Sequence, residues 1–156
     1  MRELVYYAAV TLDGYIAGPD GQFDAFMIAG DHMDAINRRF ADTLPTDAAA
    51  ALGIPQHHDR FDTVLMGANT YAVGGVTSPY RHLRQIVFSR TRTATAENLE
   101  VTDDDPVDVV RRLKGEEGAD IWLCGGGTLA ATLADQIDRL ILKRQPLLFG
   151  SGIPLF

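Results

Sequence analysis

The sequence predicts an α/β fold in which helices cover both faces of a mostly parallel sheet and the chain ends in an antiparallel hairpin. Apolar runs of strand character alternate with helical patterns through the middle of the chain, as expected for parallel strands covered by helices. The final residues instead show two strand patterns around the glycine turn 150–152, which predicts the hairpin. At 156 residues the chain has the length of a single domain, residues 1–156.

The first third of the chain is expected to begin with a strand and to end in a loop. Residues 4–12 are rich in Val, Tyr and Ala and predict a buried strand, which a short apolar return at 15–17 follows. A helix is expected over residues 31–40, with Asp31 as its N-cap. Residues 43–60 contain two prolines, an alanine tract and two histidines, which predicts a long loop with one helical turn.

Three further apolar runs in the middle of the chain predict strands, and two helical patterns accompany them. The strands are expected at residues 61–67, 85–89 and 99–102, and a short helix at residues 69–71. The second helix follows a run of three aspartates, of which Asp105 suits the N-cap, while Pro106 suits the first helical position. Gly115 is expected to end this helix.

A glycine run is the most suggestive local pattern. The strand predicted at residues 120–124 ends in Gly125-Gly126-Gly127, and a helical pattern starts at once, with Leu129 and Leu133 on one face. Such a turn presents bare backbone N–H groups to an anion, because no Cβ blocks the approach and the helix N-terminus adds partial positive charge. The same pattern is equally consistent with a tight turn that binds nothing.

The C-terminal stretch contains the predicted hairpin. Residues 140–149 predict a strand that Pro146 interrupts, and the glycine turn follows. Residues 153–156 are then expected to pair back on that strand.

Composition and charge exclude several classes of function. A net charge of −7 and a pI near 4.9 argue against a nucleic-acid or anionic-membrane partner. The single cysteine cannot form an internal disulfide, which fits a reducing compartment. There is no signal-peptide pattern and no apolar run long enough to span a membrane. We therefore expect a cytoplasmic protein whose partner is a small-molecule substrate.

Five motifs follow one another along the chain, and four of them lie at predicted strand ends. They are Thr11-Leu12-Asp13-Gly14-Tyr15-Ile16-Ala17, Gly67-Ala68-Asn69-Thr70, Ser89-Arg90-Thr91, Gly125-Gly126-Gly127 and Pro146-Leu147-Leu148-Phe149-Gly150-Ser151-Gly152. In this order they resemble the C-terminal reductase domain of the riboflavin-biosynthesis protein RibD and its stand-alone bacterial relatives. The resemblance implies a dihydrofolate reductase-like fold, a three-layer α/β/α sandwich, and a homodimer.

The resemblance also implies an NADPH-dependent reductase. The glycine run would receive the pyrophosphate, the motifs after the second and third strands would hold the adenosine half, and the first motif would lie near the nicotinamide and the substrate. Arginines would pair with the 2′-phosphate, since their planar donors match phosphate oxygens. The cofactor-binding residues implied are Gly14, Tyr15, Ile16, Gly67, Ala68, Asn69, Thr70, Ser89, Arg90, Thr91, Arg92, Gly125, Gly126, Gly127, Thr128 and Leu129.

The chain departs from the family pattern in three places. Ala68 stands where the family has an arginine, so one partner of the 2′-phosphate is missing and NADH becomes an alternative to NADPH. Cys124 precedes the glycines where riboflavin-pathway enzymes commonly have a glutamate, and a thiol cannot replace a carboxylate as a hydrogen-bond acceptor. The loop 43–60 resembles an insertion that we expect to reshape the substrate side.

Asp13 is the first candidate for catalysis. Hydride transfer to a C=N or C=O group needs a proton, and a carboxyl with a raised pKa can supply it. Asp13 ends a buried strand at the expected cleft, although an aspartate before a glycine is equally often a turn residue. Asp24 and Asp31 are weaker candidates for contact with the substrate. The histidines lack metal-ligand spacing, so no metal site is expected.

Three hypotheses for function follow. The first is an NADPH-dependent reductase that acts on a small heterocycle or carbonyl compound, similar to 5-amino-6-(5-phosphoribosylamino)uracil reductase. The second is a non-catalytic protein on the same fold that binds a nucleotide or metabolite, with Ala68 and Cys124 as marks of lost catalysis. The third is a dihydrofolate reductase, which the first motif fits less well.

Overall fold

The computed structural model describes residues 1–156 and has a six-stranded parallel sheet at its centre. The strands are β1 (Leu4–Thr11), β2 (Tyr15–Ala17), β3 (Phe61–Gly67), β4 (Arg84–Phe88), β5 (Leu99–Thr102), β6 (Asp120–Gly125), β7 (Arg139–Gln145) and β8 (Ile153–Pro154). The central sheet has the order β5-β4-β3-β6-β1-β7, and every neighbouring pair in it is parallel. The prediction of a mostly parallel sheet is confirmed.

The C-terminal strand pairs with a different partner from the one expected. β8 lies antiparallel to β2 in a separate two-stranded sheet, so the predicted hairpin between β7 and β8 is not formed. The reason is a long-range contact, because the Asp13 carboxylate accepts hydrogen bonds from the N–H groups of Phe149 and Gly150, at 3.2 and 2.7 Å. These bonds draw the chain after β7 back towards β2.

Helices cover both faces of the central sheet. They are α1 (Asp31–Arg39), α2 (Thr46–Ala51), α3 (Ala68–Ala72), α4 (Pro106–Lys114) and α5 (Gly127–Thr132). On one face α4 and α5 pack against β1, β3, β4 and β6 around the buried side chains of Val110 and Leu123. On the other face α1 and α3 pack around Tyr7 and Trp122. The result is the expected three-layer α/β/α sandwich.

The helix starts agree with the sequence in one case and differ in another. Asp105 caps α4, since its side chain accepts from the N–H groups of Val107 and Asp108, at 2.8 and 3.4 Å. α1 begins one residue earlier than predicted, with Gly30 at the N-cap. Asp31 therefore lies inside the first turn, where its carboxylate still favours the positive end of the helix.

The segment 43–60 lies at the amino ends of the strands, not on the substrate side as we expected. It contains α2 in place of a single helical turn, and its last residue, Arg60, accepts a hydrogen bond from the N–H of Asp120 at the start of β6. The buried carboxylate of Asp42 fixes the segment by accepting from the N–H groups of His58 and Phe61. This segment therefore cannot form the wall of a cleft at the carboxyl edge.

The lengths and compositions of the helices bear on whether one of them could span a membrane. None of the helices is both long enough and apolar enough to cross a lipid bilayer.

Candidate functional site

The four predicted strand ends lie on the same edge of the molecule. Because all six central strands are parallel, their carboxyl ends form one edge, along which β4, β3, β6, β1 and β7 follow one another. Ligands of open parallel sheets bind at this edge. The structure therefore brings the ends of β1, β3, β4 and β6 together as the sequence predicted.

The ends of β3 and β6 form a glycine cradle, which we define as Gly67, Gly125 and Gly126. A Cβ on Gly67 would lie 3.7 Å from Gly125 O and from Gly126 N. A Cβ on Gly126 would lie 3.3 Å from Thr70 Oγ1, which is closer than most side chains allow. Gly125 has a φ of 123°, a conformation that favours glycine. Side-chain-free backbone thus forms the floor of the edge at this point.

The residues after the cradle divide into packed and accessible groups. Gly127 is buried under β8, because a Cβ at this position would overlap the carbonyl oxygen of Pro154. The Leu129 side chain is in the core, so only its backbone can face a ligand. Thr128 is exposed at the start of α5, and no side chain caps this helix. Of these three predicted contacts, Thr128 is the one with an accessible side chain.

Two unpaired arginines follow β4. The Ser89 hydroxyl accepts hydrogen bonds from the N–H groups of Thr91 and Arg92, at 3.3 and 3.0 Å, and so shapes the turn. Arg90 and Arg92 are exposed and take no part in any of the ion pairs of the molecule, unlike Arg81 and Arg84. They follow the carboxyl end of β4, the strand that pairs with β3, so two unpaired positive charges lie in the loop one strand away from Gly67.

Asp13 holds the loop after β7. Its carboxylate accepts from the Thr11 hydroxyl at 2.5 Å as well as from two backbone N–H groups of that loop. These hydrogen bonds, that of Thr11 above all, lower the pKa of Asp13. A carboxylate stabilised in this way is a poor proton donor near neutral pH, which favours the turn interpretation of Asp13 over the catalytic one.

The other residues of the motif 11–17 lie around the contact between Asp13 and the loop after β7. Gly14 has a φ of 90° and its carbonyl accepts from the N–H of Leu155. The Tyr15 hydroxyl lies 3.5 Å from Gly150 O, and Ile16 is partly buried within β2. The motif therefore joins the end of β1 to the C-terminal segment at the carboxyl edge.

A cavity of about 460 Å³ opens on the β1–β7 side of the sheet. α1 and the segment before it form one wall, β1 and β7 the other. Its lining residues are Tyr7, Met27, His32, Met33, Ile36, Phe40, Ile141, Leu142, Lys143, Arg144, Gln145 and Pro146. Neither Asp24 nor Asp31 is among them, although the segment that contains both contributes Met27, whose N–H bonds Gln145 Oε1 at 3.1 Å.

Lys143 is a half-buried cation in this cavity. Its Nζ lies 4.7 Å from the centre of the Tyr7 ring and forms no ion pair, whereas Nζ of Lys114 lies 2.6 Å from an oxygen of Asp138. Loss of hydration lowers the pKa of Lys143. The ammonium group therefore has donors that no carboxylate of the protein satisfies.

Cys124 lies beside Tyr7 on the same face of the sheet. Burial raises the pKa of its thiol to about 12, so the thiol stays protonated at neutral pH and is not a reactive thiolate. Burial also raises the pKa of Tyr7 to about 12. Both groups are neutral at neutral pH, so neither can act as a counter-ion for the Lys143 ammonium.

Comparison with known proteins agrees with this architecture. The RibD C-terminal domain family matches residues 2–156. The chain belongs to this family. Two uncharacterized proteins of Bacillus subtilis strain 168 are similar to this chain in sequence. YwjB is 31% identical over 99% of this chain and 83% of its own length, and YyaP is 26% identical over 99% and 80%.

Two solved structures share the fold. A Shewanella sp. PV-4 protein named for riboflavin biosynthesis superposes with a TM-score of 0.68, at 23% identity, over 99% of this chain and 82% of its own. A Thermotoga maritima diaminohydroxyphosphoribosylaminopyrimidine deaminase/5-amino-6-(5-phosphoribosylamino)uracil reductase gives a TM-score of 0.66 at 17% identity. This chain covers 48% of that protein. Both structures therefore share the fold of this chain.

The cavity was not predicted from the sequence. The sequence did contain a pattern that points to Lys143. This charged residue directly follows the apolar run Leu140-Ile141-Leu142 in a predicted strand that is otherwise suited to burial. The contribution of Met27 had none, because the residues before α1 show no periodicity. No group of three or more His, Cys, Asp or Glu side chains is arranged to hold a metal ion.

Proposed function

We propose that this RibD C-terminal domain protein is an NADPH-dependent reductase that transfers hydride to a small heterocyclic or carbonyl substrate. The observation that carries the proposal is the glycine cradle formed by Gly67, Gly125 and Gly126 at the carboxyl edge. Unpaired arginines follow β4 on one side of it, and on the other side a cavity reaches the carboxyl end of β7 at Gln145 and Pro146. A dinucleotide needs such a surface, because its phosphates approach bare backbone and a guanidinium binds its 2′-phosphate.

In this proposal the cofactor lies along the carboxyl edge, and each of its parts is assigned to the residues of one strand end. Arg90 and Arg92 would bind the adenosine end, the glycine cradle and Thr128 the pyrophosphate, and the segment around Tyr15 the nicotinamide end. The cofactor, when bound, supplies the hydride, and its oxidation to NADP⁺ balances the two electrons that the C=N or C=O carbon gains. The chain's part is to hold the two reactants in line and to limit access of water.

The proton for the substrate heteroatom needs another source than Asp13. The hydrogen bonds to Asp13 and its lowered pKa favour a positioning role, in which it holds the loop at Phe149 and Gly150. Cys124 is a thiol of raised pKa and a weak acid. An ordered water at the mouth of the cavity is therefore the proton source that we propose.

The cavity argues against a dihydrofolate reductase. In that enzyme class a carboxylate on or before the first helix meets the substrate ring, but none of the twelve residues that line this cavity is an aspartate or glutamate. The comparison with the Thermotoga maritima reductase makes an aminouracil the first substrate to examine, and Cys124 in place of the family's glutamate favours a different or broader one.

The test uses Trp122, the only tryptophan, three residues before the cradle. NADPH is expected to quench its emission and to gain nicotinamide fluorescence by energy transfer. NADPH oxidation is then followed with aminouracils, pterins and simple carbonyls. No fluorescence change at millimolar NADPH would overturn the cofactor assignment. Binding without oxidation of any substrate would instead favour the non-catalytic alternative.

A further inference from the structure

Lys143 is the one cation that points to the chemistry of the substrate, because its position is costly without a ligand. Its half-buried ammonium contacts the Tyr7 ring at 4.7 Å and has no carboxylate partner. An unpaired charge removed from water loses hydration that a ring face restores only in part. An anion in the cavity would supply the missing partner.

The lining of the cavity has the opposite charge to the protein as a whole. The protein has a net charge of −7, yet the twelve lining residues include Lys143 and Arg144 and no acidic residue. Tyr7, Met33, Ile36 and Ile141 provide apolar walls. A volume of about 460 Å³ suits a small ring compound.

We infer that Lys143 binds a monoanionic oxygen group of the substrate, such as a carboxylate, and that the cavity takes a small apolar or planar molecule carrying one. This inference deepens the proposed reductase function. It rests on that function in one respect, because the bound molecule is a substrate only if the protein is a reductase. The apolar walls accept the body of the molecule. Lys143 is the half-buried cation of the lining and balances one negative charge, whereas Arg144 is exposed to solvent. Lys143 is a binding residue in this account, not a proton donor.

The first experiment compares benzoate, benzamide and benzylamine, which share a ring and differ in charge, by calorimetric titration of the cofactor-free protein. Benzoate is expected to bind at least about tenfold more tightly than benzamide, because it gains a charged hydrogen bond. Lys143→Met should remove this preference, and Lys143→Arg should keep most of it. Arg111→Met, an exposed change on α4, is the control and should bind benzoate like the unaltered protein.

A second measurement observes Lys143 directly. The chain has only two lysines, Lys114 and Lys143, so reductive methylation with ¹³C-formaldehyde gives two assignable side-chain signals beside that of the N-terminus. Benzoate should shift the Lys143 signal and raise the pKa at which it titrates, and leave Lys114 unchanged. Lys143→Met should keep the folded structure, since it replaces an unpaired, half-buried charge by an apolar side chain of similar length.

The proposal is overturned if benzoate and benzamide bind equally, if benzylamine binds best, or if millimolar benzoate leaves the Lys143 signal unmoved. Tighter binding of phenyl phosphate than of benzoate would overturn the monoanionic class. None of these titrations contains NADPH, so their failure is distinct from failure of the cofactor test, and a protein that binds benzoate but not NADPH would keep this inference and lose the reductase.

Discussion

At the residue scale, the choice of cofactor rests on the two exposed arginines after β4. Ala68 stands where the resemblance implies an arginine, so Arg90 and Arg92, in the loop after the strand that pairs with β3, are the guanidinium groups we assign to the cofactor. If they bind the 2′-phosphate, Arg90→Ala should weaken NADPH binding by about tenfold or more and leave NADH binding nearly unchanged, because NADH lacks that phosphate. Fluorescence titration of Trp122 with both cofactors measures the difference.

The matched control for this prediction is Arg111→Ala, which removes an exposed guanidinium from α4, away from the carboxyl edge. Arg111→Ala should change neither the NADPH affinity nor the NADH affinity. An equal loss of NADH and NADPH binding in Arg90→Ala would show that Arg90 shapes the turn and does not read the 2′-phosphate. Unaltered protein that prefers NADH would reject both arginines as 2′-phosphate ligands.

Asp13 gives a pH-dependent prediction at the same scale. Its pKa in the folded state is below its unfolded value, so its contribution to stability is present above the unfolded pKa, about 3.9, and is lost as the pH falls through the folded pKa. Asp13→Asn should therefore lower the free energy of unfolding at pH 7, and the difference from the unaltered protein should shrink as the pH falls below about 4. Urea unfolding at several pH values measures this.

Asp24→Asn provides the control, since Asp24 is exposed and outside the hydrogen bonds that hold the C-terminal loop. A difference for Asp13→Asn that stays constant down to low pH would mean that the carboxylate charge is not what holds Phe149 and Gly150. Full loss of hydride transfer with unchanged stability would restore the catalytic role.

At the scale of elements, the sequence predicted most clearly those strand bounds and helix starts that depend on residues close together in the chain. β3 and β5 have the predicted bounds, because their apolar runs are flanked by charged residues and breakers. α4 was predicted from its cap, since Asp105 and Pro106 act through bonds within one turn. The partner of β8 could not be predicted in this way, because Asp13 draws the C-terminal loop from 136 residues away in sequence.

The candidate site also has one part that local sequence patterns predicted and one part that they did not. The glycine cradle was visible because glycines before a helix form a local pattern, and parallel topology then placed it beside Gly67. The cavity was not visible, because Tyr7, Met33 and Lys143 come from three separate elements. Their meeting depends on how α1 crosses the sheet, which no local pattern encodes.

Gly127 tests the packing of α5 against β8. A Cβ there would overlap the carbonyl oxygen of Pro154, so Gly127→Ala should push β8 away and lower the free energy of unfolding by about 1–3 kcal/mol. Gly74→Ala is the matched control, because a Cβ on Gly74 meets nothing within 4 Å and its backbone needs no positive φ. Equal stability of the two variants would contradict the packing role of Gly127.

At the scale of the whole molecule, the central sheet ends in two outer strands, β5 on one side and β7 on the other, and β7 is the one beside the candidate site. β7 is the outermost strand beside β1, and its outer backbone groups are open to pairing. Leu148, just beyond β7, is 73% exposed, and Leu12 next to it is 54% exposed, since the Leu12 N–H bonds Leu147 O. Exposed apolar residues beside an open strand edge are typical of a contact between subunits.

We therefore expect a homodimer that uses this edge, and sedimentation velocity over a range of protein concentrations measures it. Leu148→Glu should shift the population towards monomer, because a carboxylate buried against a second copy would be unpaired. Leu52→Glu is the control, since Leu52 is 58% exposed but lies at the amino ends of the strands, far from β7 in the fold. A monomer at all concentrations, or equal dissociation by both substitutions, would exclude this edge as the interface.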